Sequence, residues 1–394
     1  MNRNVLILAF CQAMLFTGVG LVVASSALIG QQLAPSPAWA TLPLALQYLT
    51  TMLVAYYFSS LMRRKGRRYV FVRGALIGVA GAGVACLGIW LGNFYLFAGA
   101  SLLIGMHTAI AQFYRFAAAE AVPADLKARA ISLTLAGGVI AAFIGPNLAR
   151  YTRDLLEPLF LASFLMLVLA TAAAAWLSSR LELPAVATEE STEAGRDLLH
   201  IALQGKYLVA LLAAMVGYGV MNFLMVSTPL AMHSYGCSFP STTWVIQWHL
   251  VAMFAPSFIT GDVIRKVGVV PVMLGGCLLI GACALINLSG TTVSHFETAL
   301  ILLGVGWNFL YIGATTLLTE TYTPQEKSRA QGLNDTLVFA TLTFTSLASG
   351  ALVSQLGWAA INRYSLIPTV AVGAALLWLL VKQLARRTAP ALPG

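Results

Sequence analysis

Charge is scarce in this chain. Lys, Arg, Asp and Glu make up 9% of its 394 residues, against 59% hydrophobic residues and a mean hydropathy of +0.82. A water-soluble domain carries about 25% charged residues, so a soluble globule is excluded. The five cysteines show no CxxC spacing, which rules out a disulfide framework and a zinc ribbon. No hydrolase, kinase or redox motif is present, so an enzyme is not expected, nor is a resident cofactor. The net charge of +9 does not point to nucleic acid, because Lys and Arg gather in short loops such as MRRKGRR (62–68) and DVIRKVG (262–268). Basic loops of that kind set membrane topology.

What is abundant is long apolar runs. They fall at roughly 4–30, 41–62, 69–91, 94–117, 130–150, 158–180, 206–234, 241–261, 268–290, 296–319, 329–354 and 364–385. Each is long enough to cross roughly 30 Å of hydrocarbon. The expectation is an all-α membrane protein of twelve transmembrane helices in two six-helix halves. Ala38-Trp39-Ala40 looks like a signal-peptidase site, but the apolar stretch before it is longer than the ~7–15 residues of a signal core. It reads as an uncleaved first helix. The long polar segment 179–206 suggests a first half over 1–180, a cytoplasmic linker over 181–205 and a second half over 206–394. With the N-terminus inside, only Arg150, Arg153 and Arg363 of the 23 basic residues face outward. The positive-inside rule then puts both termini and the linker in the cytoplasm.

The two halves echo each other. EAVPADLKARA (120–130) and ETYTPQEKSRA (320–330) share Glu120/Glu320, Lys127/Lys327, Arg129/Arg329 and Ala130/Ala330 at an offset of 200, each after the fourth helix of its half. Duplicated halves joined by a polar linker imply a transporter with a site near the midplane. At this point the chain resembles the major facilitator superfamily over essentially its whole length. GVIAAFIGP (138–146) is similar to that family's fifth-helix Gly-Pro motif, and GDVIRKVG (261–268) to its loop motif. The first-half loop SSLMRRKGRRYV (59–70) keeps GRR but has Arg63 where the family usually has Asp.

The candidate chemistry lies in residues 218–254, YGVMNFLMVSTPLAMHSYGCSFPSTTWVIQWHLVAMF. This hairpin holds four of the twelve methionines and two of the five histidines. Met221 and Met225 form M-x-x-x-M on the seventh helix; His249 and Met253 form H-x-x-x-M on the eighth. In an antiparallel pair, residues at equal depth have numbers with a constant sum, and both Met221/Met253 and Met225/His249 satisfy it. The i, i+4 spacing keeps each motif on one helix face. Met232, His233 and Cys237 extend the stripe outward. Thioethers are soft ligands suited to Cu(I), and imidazole accepts copper and zinc. Methionine is equally a gap-filler in apolar cores, so ligation and packing are both open on these residues alone. The motifs resemble those of the CcoA-type copper importers, a subfamily whose relatives also carry riboflavin. That resemblance implies copper uptake across the bacterial inner membrane for cbb3-type cytochrome oxidase, with Met221, Met225, His249 and Met253 as ligands. The expected partners are a copper ion as transported substrate, the lipid bilayer and a cytoplasmic copper acceptor.

Other residues are weighed on the same footing. Met106 and His107 on the fourth helix are accessory-ligand candidates, with a hydrogen-bonded core histidine as the alternative. Cys11 and Met14 read as packing. Arg115 and Asp335 read as gating or anchoring groups near the cytoplasmic ends of their helices. Trp244, Trp248 and Trp307 could instead stack on a flat organic solute such as riboflavin or a drug. No acidic residue lies mid-membrane, which argues against a proton antiporter built on a buried carboxylate. Direction is open too, since the same ligands would serve a copper exporter.

Overall fold

The computed structural model describes residues 2–123, 126–183, 196–323 and 325–388. Every regular element described is helical. Helix α1 (Arg3–Leu33) starts where the Asn2 side chain accepts from Asn4 N–H, capping an otherwise unpaired donor. Helices α2 (Leu42–Lys65) and α3 (Arg67–Trp90) meet at Gly66. The fourth pass is α4 (Phe94–Ala111) continued by the short α5 (Tyr114–Glu120). Helices α6 (Lys127–Thr152) and α7 (Leu161–Ser179) complete the first half.

A short α8 (Leu198–Ala202) lies within the expected linker and precedes α9 (Gly205–Ser234). The eighth pass divides into α10 (Phe239–Phe254) and α11 (Ser257–Val267) at Pro256, which has no N–H to continue the ladder. Helices α12 (Val269–Ser289) and α13 (Val293–Thr319) follow. The last element, α14 (Lys327–Thr388), turns at Gly357, whose φ of 77° lies outside helical space, so it is two passes.

Nine segments among the described residues are long and apolar enough to span a membrane by composition. One of them, 55 residues long, contains the Gly357 turn and counts twice. Helix α6 and the divided α10–α11 pass bring the number of passes to the expected twelve. The duplication is visible in backbone geometry. Gly66 (φ 83°, ψ 152°) and Gly268 (φ 95°, ψ 161°) make the same left-handed link between the second and third helix of each half. The expected likeness at 120–130 and 320–330 falls partly on 124, 125 and 324, outside the described residues.

Within the first half α1 packs on α6, and α3 on α4 and α7; within the second, α9 packs on α14 and α13, and α12 on α13. Gly145 of the Gly-Pro pair lets α6 approach α1 so closely that a Cβ there would lie 2.6 Å from the Thr17 carbonyl oxygen. The halves meet mainly through α2 against α14 and α6 against α10. Among the described residues, three hydrogen bonds cross between these helices. Thr41 Oγ1 donates to the Ser346 carbonyl at 2.5 Å and accepts from Gly350 N–H at 3.1 Å, while Asn147 Nδ2 donates to Gln247 Oε1. All lie in the half of the molecule away from the termini. Among the described residues, no hydrogen bond or ion pair joins the halves on the termini side.

Candidate functional site

The four candidate metal ligands are placed in the second half, but not as two facing layers. Helices α9 and α10 touch only briefly, and each packs chiefly on other helices, with α13 between them. Asn222 explains the rotation of α9: its Nδ2 reaches Thr345 Oγ1 at 2.9 Å and Ser346 Oγ at 2.8 Å, fixing that face against α14. Gly217, on another face, lies against Leu310 of α13. At about 100° per residue, Met221 and Met225 fall on the arc between those two faces. The equal-depth register read from numbering is therefore not a face-to-face contact, because α13 takes the place next to α9 that the hairpin reading gave to α10. The methionines Met221, Met225 and Met253 all sit in one apolar core with Leu300, Leu303 and Trp307.

His249 is fully buried, and its Nδ1 lies 2.8 Å from the Leu300 carbonyl oxygen of α13. Its Nε2 is buried with no protein partner. Gly304 permits this approach: a Cβ there would lie 2.7 Å from the His249 carbonyl oxygen. The outer candidates gather at the end of α9, where Cys237 N–H donates to the Met232 carbonyl at 2.9 Å, but they differ in exposure. Met232 is fully buried, whereas His233 is exposed. Partial burial pushes the Cys237 thiol up, which disfavours the thiolate a metal would need. In the first half, His107 is buried, with Nδ1 3.1 Å from the Gly74 carbonyl. It lines a cavity of about 20 Å³ with Met14, Gln47, Thr108 and Thr171, roughly the room of one water. Met106 packs instead against a separate apolar cluster.

An aromatic cluster occupies the middle of the molecule. Trp307 and Tyr311, one turn apart on α13, stack with centroids 5.0 Å apart and planes 12° from parallel. Tyr218 of α9 stands edge-on to both, at 5.1 and 5.2 Å. Phe254 at the end of α10 adjoins Trp307 at 6.4 Å and reaches Phe16 of α1, across the two halves, at 5.4 Å. Phe16, Tyr218, Phe254 and Trp307 each lie about 13–15 residues from one end of their helix, roughly 20 Å along the axis. They share one level near the midplane. The Trp307 Nε1 is buried without a partner. A second aromatic contact crosses the halves where Phe143 of α6 meets Trp248 of α10 at 6.0 Å. Trp244 is instead exposed and donates to Glu297 Oε1 at 2.9 Å.

The cluster joins rings from both halves at the depth where alternating-access transporters bind cargo. Of its members, sequence reasoning singled out only Trp307. Phe16, Tyr218 and Phe254 share no local pattern, and their one common signal is a similar distance from a helix end.

Comparison with known proteins agrees with the helical architecture. The family model described as Major Facilitator Superfamily matches residues 209–393. The riboflavin transporter RfnT of Brucella anthropi is 38% identical over 374 residues, covering 94% of each chain. The chain belongs to the major facilitator superfamily. An uncharacterized MFS-type transporter of Bacillus subtilis, YdeG, is 26% identical over 92% of this facilitator and 88% of its own length. The crystal structure of a point mutant of the nucleoside transporter NupG superposes with a TM-score of 0.75, covering 95% of this chain and 98% of that one at 13% identity. That likeness concerns the fold alone. This facilitator is accordingly a multi-pass membrane transporter and not an enzyme.

Proposed function

We propose that this facilitator moves a flat aromatic solute of the riboflavin class across the bacterial cytoplasmic membrane by alternating access. The observation that carries this reading is the stacked Trp307–Tyr311 pair, walled by Tyr218 and Phe254 and joined to the first half through Phe16. Aromatic faces gain from offset stacking on another π-system, and the orphan Trp307 N–H offers a donor to a ring acceptor. The 38% identical relative named as a riboflavin transporter supports the same class. The proposed topology keeps both termini and the linker in the cytoplasm, on the basis of the Lys and Arg distribution. The proposed domain boundaries remain 1–180, 181–205 and 206–394. The lipid bilayer is the only partner the reading requires besides the solute, and no cofactor is part of it.

The test is riboflavin uptake into vesicles bearing the wild-type chain, compared with Trp307→Leu and Tyr218→Leu at equal abundance. Saturable uptake in the wild type, clearly weakened in both variants, is the expected result. Equal uptake in all three, or none in the wild type, contradicts it.

A second reading has one specific support. His249 presents a buried, unpartnered Nε2 while its Nδ1 is held by a carbonyl, the arrangement that commonly orients a ligating imidazole. Met253 follows one turn later. Under this reading the cargo is copper, with Met221 and Met225 as further donors, a cytoplasmic acceptor as partner and cbb3-type oxidase as destination. Copper accumulation abolished by His249→Leu, with riboflavin uptake absent throughout, would favour it over the first.

A further inference from the structure

A groove opens on the first half where α3 begins and α7 ends, on the termini side of the molecule. Its volume is about 470 Å³, and it is lined by Arg68, Tyr69, Val72, Arg73 and Leu76 of α3 with Ser179 of α7. Both helices pack chiefly within their own half, so their exposed faces look onto the bilayer. Arg68, Arg73 and Leu76 are exposed there. The Arg73 guanidinium turns back over the Tyr69 ring at 4.3 Å. Beside the groove, the Arg180 guanidinium lies over the exposed Trp176 ring at 5.0 Å.

Two carboxylates at this end of the first half are already taken. Arg67 Nη2 donates to Glu120 Oε1 at 2.5 Å, and Arg3 pairs with Glu182 at 3.3 Å. Among the described residues, Arg68, Arg73 and Arg180 enter no ion pair. Arg73 stands six residues beyond the first of α3, about 9 Å along its axis. Basic loop residues suffice to set topology. An arginine that far along a bilayer-facing helix is costly unless an anion meets it. Helix α3 also starts at Gly66 without a side-chain cap, which leaves its first N–H groups to an external acceptor.

We infer that this groove binds an anionic phospholipid of the leaflet on the termini side, the cytoplasmic leaflet in the topology proposed above. The phosphodiester accepts from Arg68 and Arg73 at the uncapped start of α3. An acyl chain runs toward the bilayer centre along Val72 and Leu76, and Trp176 beside it suits the headgroup level. Ser179 Oγ already donates to the Trp176 carbonyl at 2.6 Å, so it is left to accept from a headgroup hydroxyl. Phosphate and hydroxyls together describe a glycerol headgroup. A choline headgroup instead brings a cation toward the arginines and offers no hydroxyl. The site is independent of the cargo and stands whether or not that cargo is a flavin.

The experiment is native mass spectrometry of the purified, delipidated full chain, titrated with phosphatidylglycerol and separately with phosphatidylcholine. Wild type should hold phosphatidylglycerol about tenfold or more tightly than phosphatidylcholine. Arg68→Gln with Arg73→Gln should abolish that preference. Arg64→Gln with Lys65→Gln, the same charge change at the end of α2, should keep it. Arg73→Lys spares the charge and is gentle on folding but loses the planar fork, so it alone should weaken phosphatidylglycerol measurably. Equal loss in the two double variants would mean diffuse attraction to a basic surface and no groove site. A wild type without preference, or a preference untouched by the Arg68 and Arg73 variants, overturns the inference. Inorganic phosphate that displaces the lipid at equal concentration would make this a simple anion site, which overturns it too.

Discussion

Trp307 shows how a single residue's role depends on partners the sequence does not announce. It is one of eight tryptophans, and only the stack on Tyr311 and the edge contact with Tyr218 set it apart from the exposed Trp244. Aromatic pairs of this type contribute about 0.5–1.5 kcal/mol beyond area. Trp307→Leu should therefore weaken flavin binding by about threefold to tenfold, with Trp307→Phe retaining most of it, measured by fluorescence titration. His249 is the contrasting case. The sequence marked it as unusual, and the structure agrees that its Nε2 is unsatisfied. What the numbering could not give was the rotation of α9, set by the bonds from its Asn222 to Thr345 and Ser346 of α14, which turns Met221 and Met225 toward the space between α13 and α14. If copper is not cargo, His249→Leu should leave riboflavin uptake within about twofold of wild type, because a leucine fills the site and removes an orphan polar atom.

At the scale of elements, much was legible because it depends on local chemistry. Gly66 and Gly268 sit between basic loop residues and the next apolar run, and both adopt the positive φ that such a link requires. Pro256 dividing the eighth pass follows from its missing N–H. Gly304 was not legible, since its need arises only where α10 crosses α13. Gly304→Ala would press a methyl against the His249 carbonyl and should cost about 1–3 kcal/mol, seen as a lower Tm of the purified protein. The linker holds another contact invisible to local reading. Arg196 donates through Nε and Nη2 to both oxygens of the buried Glu326, each at 2.8 Å, and its backbone N–H reaches the same carboxylate. Arg196, aided by Thr323 N–H, holds the Glu326 carboxyl well below the usual carboxylate range. A carboxylate depressed in the folded state contributes stability at neutral pH that is lost as pH falls below the ordinary range. Protease cleavage in the linker should therefore accelerate below about pH 4, and Glu326→Gln should cleave rapidly at neutral pH with that pH dependence removed.

Over the whole molecule, the twelve-pass plan and the two halves were readable from hydropathy, basic loops and the 200-residue echo, since each is a long-range average over many residues. Which way the halves are closed was not, because it depends on a few atoms. Thr41 bonds Ser346 and Gly350, and Asn147 bonds Gln247, all on the side away from the termini. Thr41→Val removes two hydrogen bonds worth about 1 kcal/mol each. It should shift the population toward the opposite state by roughly tenfold or more, read as a longer distance between spin labels at positions 36 and 354. The central claim is that the midplane aromatics bind a flavin-like ring. The most direct measurement is riboflavin binding to the purified wild-type chain, by flavin fluorescence quenching, beside Trp307→Leu and with copper as competitor. Saturable quenching that weakens in the variant and ignores copper is the predicted result. Quenching unchanged by Trp307→Leu, or an absence of binding alongside tight copper binding that needs His249, would contradict it.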